Sequence, residues 1–374
     1  MRKIIFISLF ILSLVPLSLS FPAPSVYAQE ASIPKDEYLL GKVTSLSRTA
    51  DSTNLTVVII KGTETGKKLA IEIGDNFLSD SPTQYHEGDE VVVNKSYALD
   101  SQPTYYLTDR YRLPNLFTIT AIFFFLVILL GGRHGIGSIA GLASTMIILI
   151  KFIVPSLISG QNPILVTYLG AVAIAILSLY LAHGFNKRTS IAVISTLLTL
   201  SLATFLAYLF VINSFLSGGG TEEAVFLQVG VTSSINLQGL LLGGIIIGTL
   251  GVLDDITTSQ TAALDEIYQA NPKQSLSELL KRGFSVGREH IASLVNTLVL
   301  AYAGASLPLF LLFTTNSIQP LWVVLNSEFL AEEIVRTIVG STALVLAVPI
   351  TTLLTAIVLK KYGALAKHVH THHH

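Results

Sequence analysis

"GTLGVLDDITTSQTAALDEI", Gly248 to Ile267, decides how this chain is read, because it begins as a membrane helix and acquires two adjacent carboxylates, Asp254 and Asp255. They lie about 19 residues from the start of an apolar run near Ile235. At about 1.5 Å per residue that depth is the inner hydrocarbon or its cytoplasmic edge. Beyond them Asp254, Thr257, Thr258, Thr261 and Asp265 recur at helical spacing and make one polar stripe, with Asp255, Ser259 and Glu266 beside it. Ionisable groups at such depth face a bundle interior or a water-filled cavity and mark an ion or proton path. The bland alternative is a helix end with two solvated acids.

The composition agrees with a membrane setting. Of 374 residues, 51% are hydrophobic and only 13% charged, against about a quarter charged in soluble domains. A net charge of −1 leaves no basic surface for nucleic acid. The absence of cysteine removes disulfides, thiol catalysis and thiolate metal sites together.

Working outward, the N-terminus carries Arg2 and Lys3, an apolar run from Ile4 to about Leu19, and "SVYAQE", with Val26 and Ala28 at cleavage-site spacing. Residues 1–28 read as a signal peptide, an uncleaved anchor being the alternative. Residues 29–113 are polar, with five β-type runs, "YLLGKVTSL", "NLTVVIIKG", "KKLAIEIGD", "GDEVVVNK" and "PTYYLTD", between turn signals. A small exported all-β domain, an OB-like barrel, is expected. Residues 114–362 then supply seven apolar stretches: Leu113 to Gly132, Gly135 to Ile158, Ile164 to Ala182, Ser190 to Phe215, Ile235 to Leu253, Ile291 to Phe313 and Thr337 to Leu359. An all-α bundle of about seven transmembrane helices follows, each stretch near the roughly 20 residues needed to span. Residues 363–374 form a His-rich tail, "HVHTHHH" at its end, either metal-binding or partly artificial. With the β domain outside, the inner loops collect Arg133, Lys187, Arg188, Lys273, Lys281, Arg282, Arg288, Lys360, Lys361 and Lys367, and the outer loops only Arg336. Lysine and arginine accumulate inside, so the C-terminus is expected in the cytoplasm.

Around the aspartates, Gly239 and Gly243, then Gly244 and Gly248, have small-xxx-small spacing, with Gly251 one turn on, which fits close helix packing. The next span enters through "GREHIASLVNTLVL", where Glu289, Ser293, Asn296 and Thr297 share a face. Asn296 is expected to partner the aspartates, with Glu289 and Ser293 supporting it. Lys151 is expected to snorkel, and Pro308 and Pro349 to loosen their helices.

The chain resembles the YibE/F-like family of bacterial multi-span proteins, through "GKV", "KGTETGKK", "EGDEVVV" and above all "GTLGVLDDITTSQ". The resemblance implies a plasma-membrane protein without fixing an activity. A looser similarity, over Gly248 to about Phe313, is to permeases of the resistance-nodulation-division type. Those have G-x-x-x-D-D, an amphipathic cytoplasmic helix and a returning span with a proline. It implies proton coupling at Asp254 and Asp255 only, and this chain departs from it in having one small exported domain and a glycine-to-acid spacing shorter by one residue.

The expected function is therefore a proton- or cation-coupled permease acting on an unknown small solute. The coupling site is Asp254, Asp255, Thr257, Thr258, Ser259 and Gln260. The alternative is an assembly or sensor protein whose β domain binds an envelope partner; a homo-oligomer is open in either case. No enzyme motif is present: H-E-x-x-H, G-x-S-x-G and the two-span aspartyl arrangement are all missing, and no cofactor or metal is expected.

Overall fold

The computed structural model describes residues 36–48, 52–74, 85–97, 103–229, 235–308, 311 and 320–365. The expected signal peptide, and all but the first residues of the His-rich tail, lie outside them. The chain divides into two compact units, Met1–Thr120 and Ala121–His374.

The first unit is β structure because its apolar residues alternate. Leu39 and Val43 of β1 (Glu37–Arg48), Leu55, Val57 and Ile59 of β2 (Ser52–Lys61), Leu69 and Ile71 of β3 (Lys68–Gly74) and Val91 and Val93 of β4 (Glu90–Tyr97) are all buried in one cluster. Strands pair antiparallel in the order β3-β2-β1-β4-β5, with β5 at Pro103–Arg110. Register shifts at Leu40/Gly41 and Val43/Ser45 bend β1, as bulges do. Gly41 has no room for a side chain there, since a Cβ would meet Val57. The expected closed barrel is a half-barrel. Among the described residues no ladder joins β3 to β5, and side chains bridge the gap instead: Lys67 Nζ donates to Tyr105 OH at 2.7 Å, and Tyr105 OH donates to Glu64 at 2.7 Å.

The helix α1 (Leu113–Ile148), most of which belongs to the second unit, is broken at Gly132, whose φ of 54° and ψ of −128° are far from helical and accessible to glycine. Gly135 consequently lies against the carbonyl of Val127. In a straight helix residues eight apart are about 12 Å apart along the axis, so the chain reverses here. A π-helical turn, Leu149–Ile153, carries exposed Lys151 and leads into α2 (Val154–Ile158).

Four helices begin at side-chain caps, which supply acceptors for otherwise unpaired amides. They are α3 (Pro163–His183) with Asn162, α4 (Lys187–Asn213) with Asn186, α6 (Leu237–Ala270) with Asn236, and α7 (Leu276–Ala305) with Ser275. The short α5 (Glu222–Val229) and α8 (Leu321–Leu325) lie between, and α9 (Glu328–Tyr362) contains Pro349. Among the described residues five helices are long and apolar enough to cross a membrane: Leu113–Ile158, α3, α4, α6 and α9.

Helix α6 continues fifteen residues past Asp255 to Ala270, which keeps the polar stripe on one helix and sets aside the alternative of a helix end at the aspartates. One expectation about these helices is corrected. The stretch read as a cytoplasmic connector followed by a span is, from Leu276, one unbroken helix.

Helix α6 is the hub. Ile246, Leu250, Leu253 and Ile256 pack with Ile174 and Ala175 of α3, Leu200 and Ala203 of α4, and Ala343, Ala347 and Val348 of α9.

Candidate functional site

Asp254 stands halfway along α6 on the side facing α3, partly buried, while Asp255 beside it is exposed. Ser178 Oγ of α3 donates to Asp254 Oδ2 at 3.0 Å. The other oxygen, Oδ1, is buried without a hydrogen-bond partner among the described residues, a costly state for an acceptor cut off from water.

Both aspartates line a cavity of about 310 Å³ together with Ser138 and Thr145 of α1, Ser178 and His183 of α3, and Gly251. A second cavity, of about 620 Å³, is lined by His134, His183, Asn186, Arg188, Thr258, Ser259 and Leu365. His183 lines both. The rings of His134 and His183 are 6.5 Å apart. His134 Nδ1 lies 3.0 Å from the carbonyl of Ala182, which can only accept, so Nδ1 is the donor of that bond.

Three of the hydroxyls around these cavities have their protons committed to backbone carbonyls. Thr258 donates to the Asp254 carbonyl at 2.8 Å, Ser259 to the Asp255 carbonyl at 2.7 Å and Thr145 to the Gly141 carbonyl at 3.0 Å. What they offer the cavities is oxygen lone pairs. With its two carboxylates added, the lining of the first cavity favours a cation, a proton or water over an anion, whereas the second has Arg188 and two histidines in its wall and no carboxylate.

The remainder of the polar stripe is buried between helices. Thr257 meets Thr196 of α4 hydroxyl to hydroxyl at 2.7 Å. Gln260 Nε2 donates to the Gly283 carbonyl of α7 and to Thr352 Oγ1 of α9, both at 2.8 Å, and Thr355 of α9 donates to Thr261 at 3.4 Å. At the far end Asp265, fully buried, accepts from Arg188 at 2.7 Å and from the Leu365 amide at 2.8 Å. Thr257 and Gln260 thus join helices and do not line either cavity, whereas Thr258 and Ser259 line the second one.

Asn296, expected as the partner of the aspartates, is exposed on α7, as are Glu289 and Ser293. The α7 face that meets α6 is instead Gly283 and Gly287, where a Cβ would crowd Leu264, Gln260 and Val348. A glycine pair on one helical face looks like any other in the sequence, so the true contact face was hidden by the more conspicuous polar one. The glycines of α6 also divide. Gly239 and Gly243 pack on Pro163 and Thr167, with Cβ positions 3.0 and 2.7 Å from them, whereas Gly244 and Gly251 face open space and Gly248 looks toward Tyr302 at 3.2 Å.

Ser178, His183 and His134 carry no spacing signal: each is a single polar residue at or near a helix end, brought to the aspartates only by packing. Arg188 was legible as an inner-loop charge and not as the partner of Asp265. Among the described residues no three His, Asp or Glu side chains are grouped to hold a metal ion.

No curated protein and no solved structure matches the chain. The model of one family, the YibE/F-like protein, matches residues 119–361, which take in the whole lining of the first cavity and all of the second but Leu365, and leave out the half-barrel and its "GKV", "KGTETGKK" and "EGDEVVV" motifs. With well over half of its length matched, the chain belongs to the YibE/F-like protein family.

Proposed function

We propose that the protein is a multi-span plasma-membrane permease, coupled to protons or another small cation through Asp254, with Asp255 beside it and His183 between the two cavities. One observation carries the reading: a carboxylate halfway along the hub helix, held by a single hydroxyl, with its second oxygen unpartnered at the wall of a cavity. A group needed only to brace two helices would have both oxygens bonded, because leaving one unmet costs about 1–3 kcal/mol. The chain carries a solute and performs no covalent chemistry. The solute is unidentified.

The bundle has seven spans in this reading. The reversal at Gly132 divides Leu113–Ile158 into two arms, and α7 crosses as well despite its charged first half. The half-barrel is outside and the C-terminus inside, supported by the loop lysines and arginines. Arg188 and Asp265 then mark the inner end of the bundle, and Asp254 lies three turns of helix above them, about 16 Å into the membrane.

Purified protein in liposomes with a pH-sensitive dye inside tests this. Proton movement is expected from the native chain and is expected to vanish with Asp254→Asn at unchanged protein level. Full movement in that variant would remove Asp254 from the mechanism. An assembly or sensor protein is the second reading, favoured by a half-barrel that has its own buried core. It predicts no proton flux from either protein, and normal cellular function in the asparagine variant.

A further inference from the structure

We propose that two copies of this chain associate side by side in the membrane through the outer face of α7, centred on Asn296. This rests on the membrane-spanning reading above. Arg282, Glu289, Ser293, Asn296, Leu300 and Gly304 are exposed along α7, and their spacing follows one side of the helix through about six turns. The opposite side of α7 is already occupied: Gly283 and Gly287 pack on α6 and α9, and Leu298 lies 3.2 Å from where a Cβ on Gly340 would be.

Those contacts set the depth of the exposed face. Gly287 is level with Val348 of α9, and Leu298 with Gly340. Both lie within the uncharged run of α9 between Arg336 and Lys360. Glu289 and Asn296 therefore sit beside the apolar length of a spanning helix and point away from their own bundle. Ionisable groups inside a membrane almost always face protein or water, and serine and asparagine in spans bond across helix pairs. A lipid-facing surface would carry neither.

A second copy fits the face by its chemistry. An asparagine side chain is both donor and acceptor, so Asn296 pairs with itself across a two-fold axis, as a self-complementary interface requires. Arg282, Glu289 and Asn296 are seven apart, the repeat that keeps one seam facing a parallel partner, in which a single asparagine fixes the register. Arg288, adjacent to Glu289, supplies the opposite charge from the other copy.

The chain has no cysteine, so single cysteines can be placed without background. In oxidised membranes Asn296→Cys and Ser293→Cys are expected to give disulfide-linked dimers, and Leu298→Cys, on the inward face, is not. Asn296→Leu should weaken dimerisation of the purified protein about tenfold, the loss of one interhelical hydrogen bond from each copy, and Asn296→Gln should restore most of it. Alkaline carbonate washing of the same membranes separates the failures. A chain that stays in the pellet without cross-linking at Ser293 or Asn296 overturns the dimer alone, as when another part of this chain covers α7. A chain that washes out overturns the spanning reading and the dimer with it.

Discussion

Ser178 Oγ and Asp254 Oδ2 are 3.0 Å apart, across two helices whose residues are seventy-six positions apart in the chain. The hydroxyl is the aspartate's one side-chain partner among the described residues, and it sets where the carboxylate points. Ser178→Ala removes that hydrogen bond and leaves a second carboxyl oxygen of Asp254 unmet, at a cost of about 1.5 kcal/mol. Proton flux in liposomes is therefore expected to fall about tenfold, against complete loss in Asp254→Asn. An alanine variant with native flux would show that Asp254 is oriented by something else.

The glycines of α6 should separate by what they face. At Gly243 a Cβ would approach Thr167 to 2.7 Å, and at Gly244 it would meet nothing. Overpacking of this kind costs about 1–3 kcal/mol. Gly243→Val is expected to lower both the yield of membrane-inserted protein and its unfolding temperature in detergent, while Gly244→Val leaves both within error. Equal damage at the two positions would contradict the α3 contact.

The sequence carried the class of structure well and the neighbours poorly. Alternation in Val91 and Val93 or in Leu55, Val57 and Ile59 is a local property, so the strands could be located before any pairing was known. Seven apolar stretches could be counted for the same reason. Whether Gly132 joins two arms or ends one depends on a single backbone conformation that composition does not encode. The aspartates stood out because charge in an apolar run is rare. Their surroundings did not: Ser178 is an ordinary serine until α3 packs on α6. Asn296 drew attention on the opposite ground, as a polar residue within a span, yet its helix turns it outward. Polarity marks a residue as needing a partner and does not say on which side the partner lies.

In the half-barrel, Lys95 is nearly buried and pairs with Glu64 at 2.7 Å, with Glu37 at 4.0 Å. Hydrogen bonds from Lys95, Tyr105 and Lys67 hold the Glu64 carboxyl down at about 2, and the bond to Glu64 raises the Lys95 ammonium. A carboxyl lowered on folding stabilises the folded state above its unfolded value of 4.5, and that stability is lost as pH falls from there toward about 2. Hydrogen exchange of β1 and β4 amides in the whole chain, compared with Glu64→Gln at each pH, should show native protection exceeding the variant's at pH 6. The margin should shrink progressively below about 4.5. Glu64→Gln at neutral pH should lower local stability, since it leaves the Lys95 ammonium with only its more distant carboxylate, Glu37. A pH-independent margin would mean that the pair contributes nothing to the half-barrel.

At the other end of the polar stripe, Asp265 is fully buried and depends on Arg188 and on the Leu365 amide. Glu266, more than half exposed, is a weaker support because water screens it. Removing one partner of a buried pair is far worse than neutralising both, because the remaining charge has lost its compensation, at about 3–5 kcal/mol. Arg188→Met should therefore unfold at a clearly lower temperature in detergent than the native chain. Asp265→Asn should be milder, since an amide oxygen can still accept from the Leu365 backbone and Arg188, partly exposed, retains water and Glu266. The double variant Arg188→Met/Asp265→Asn should recover part of what Arg188→Met loses. That recovery is the informative outcome: it would identify the damage as an uncompensated aspartate rather than lost packing by the arginine stem. If the double variant is as unstable as the sum of the two single changes, the two residues act independently and the ion pair does not hold α4 and α6 together at this end of the bundle.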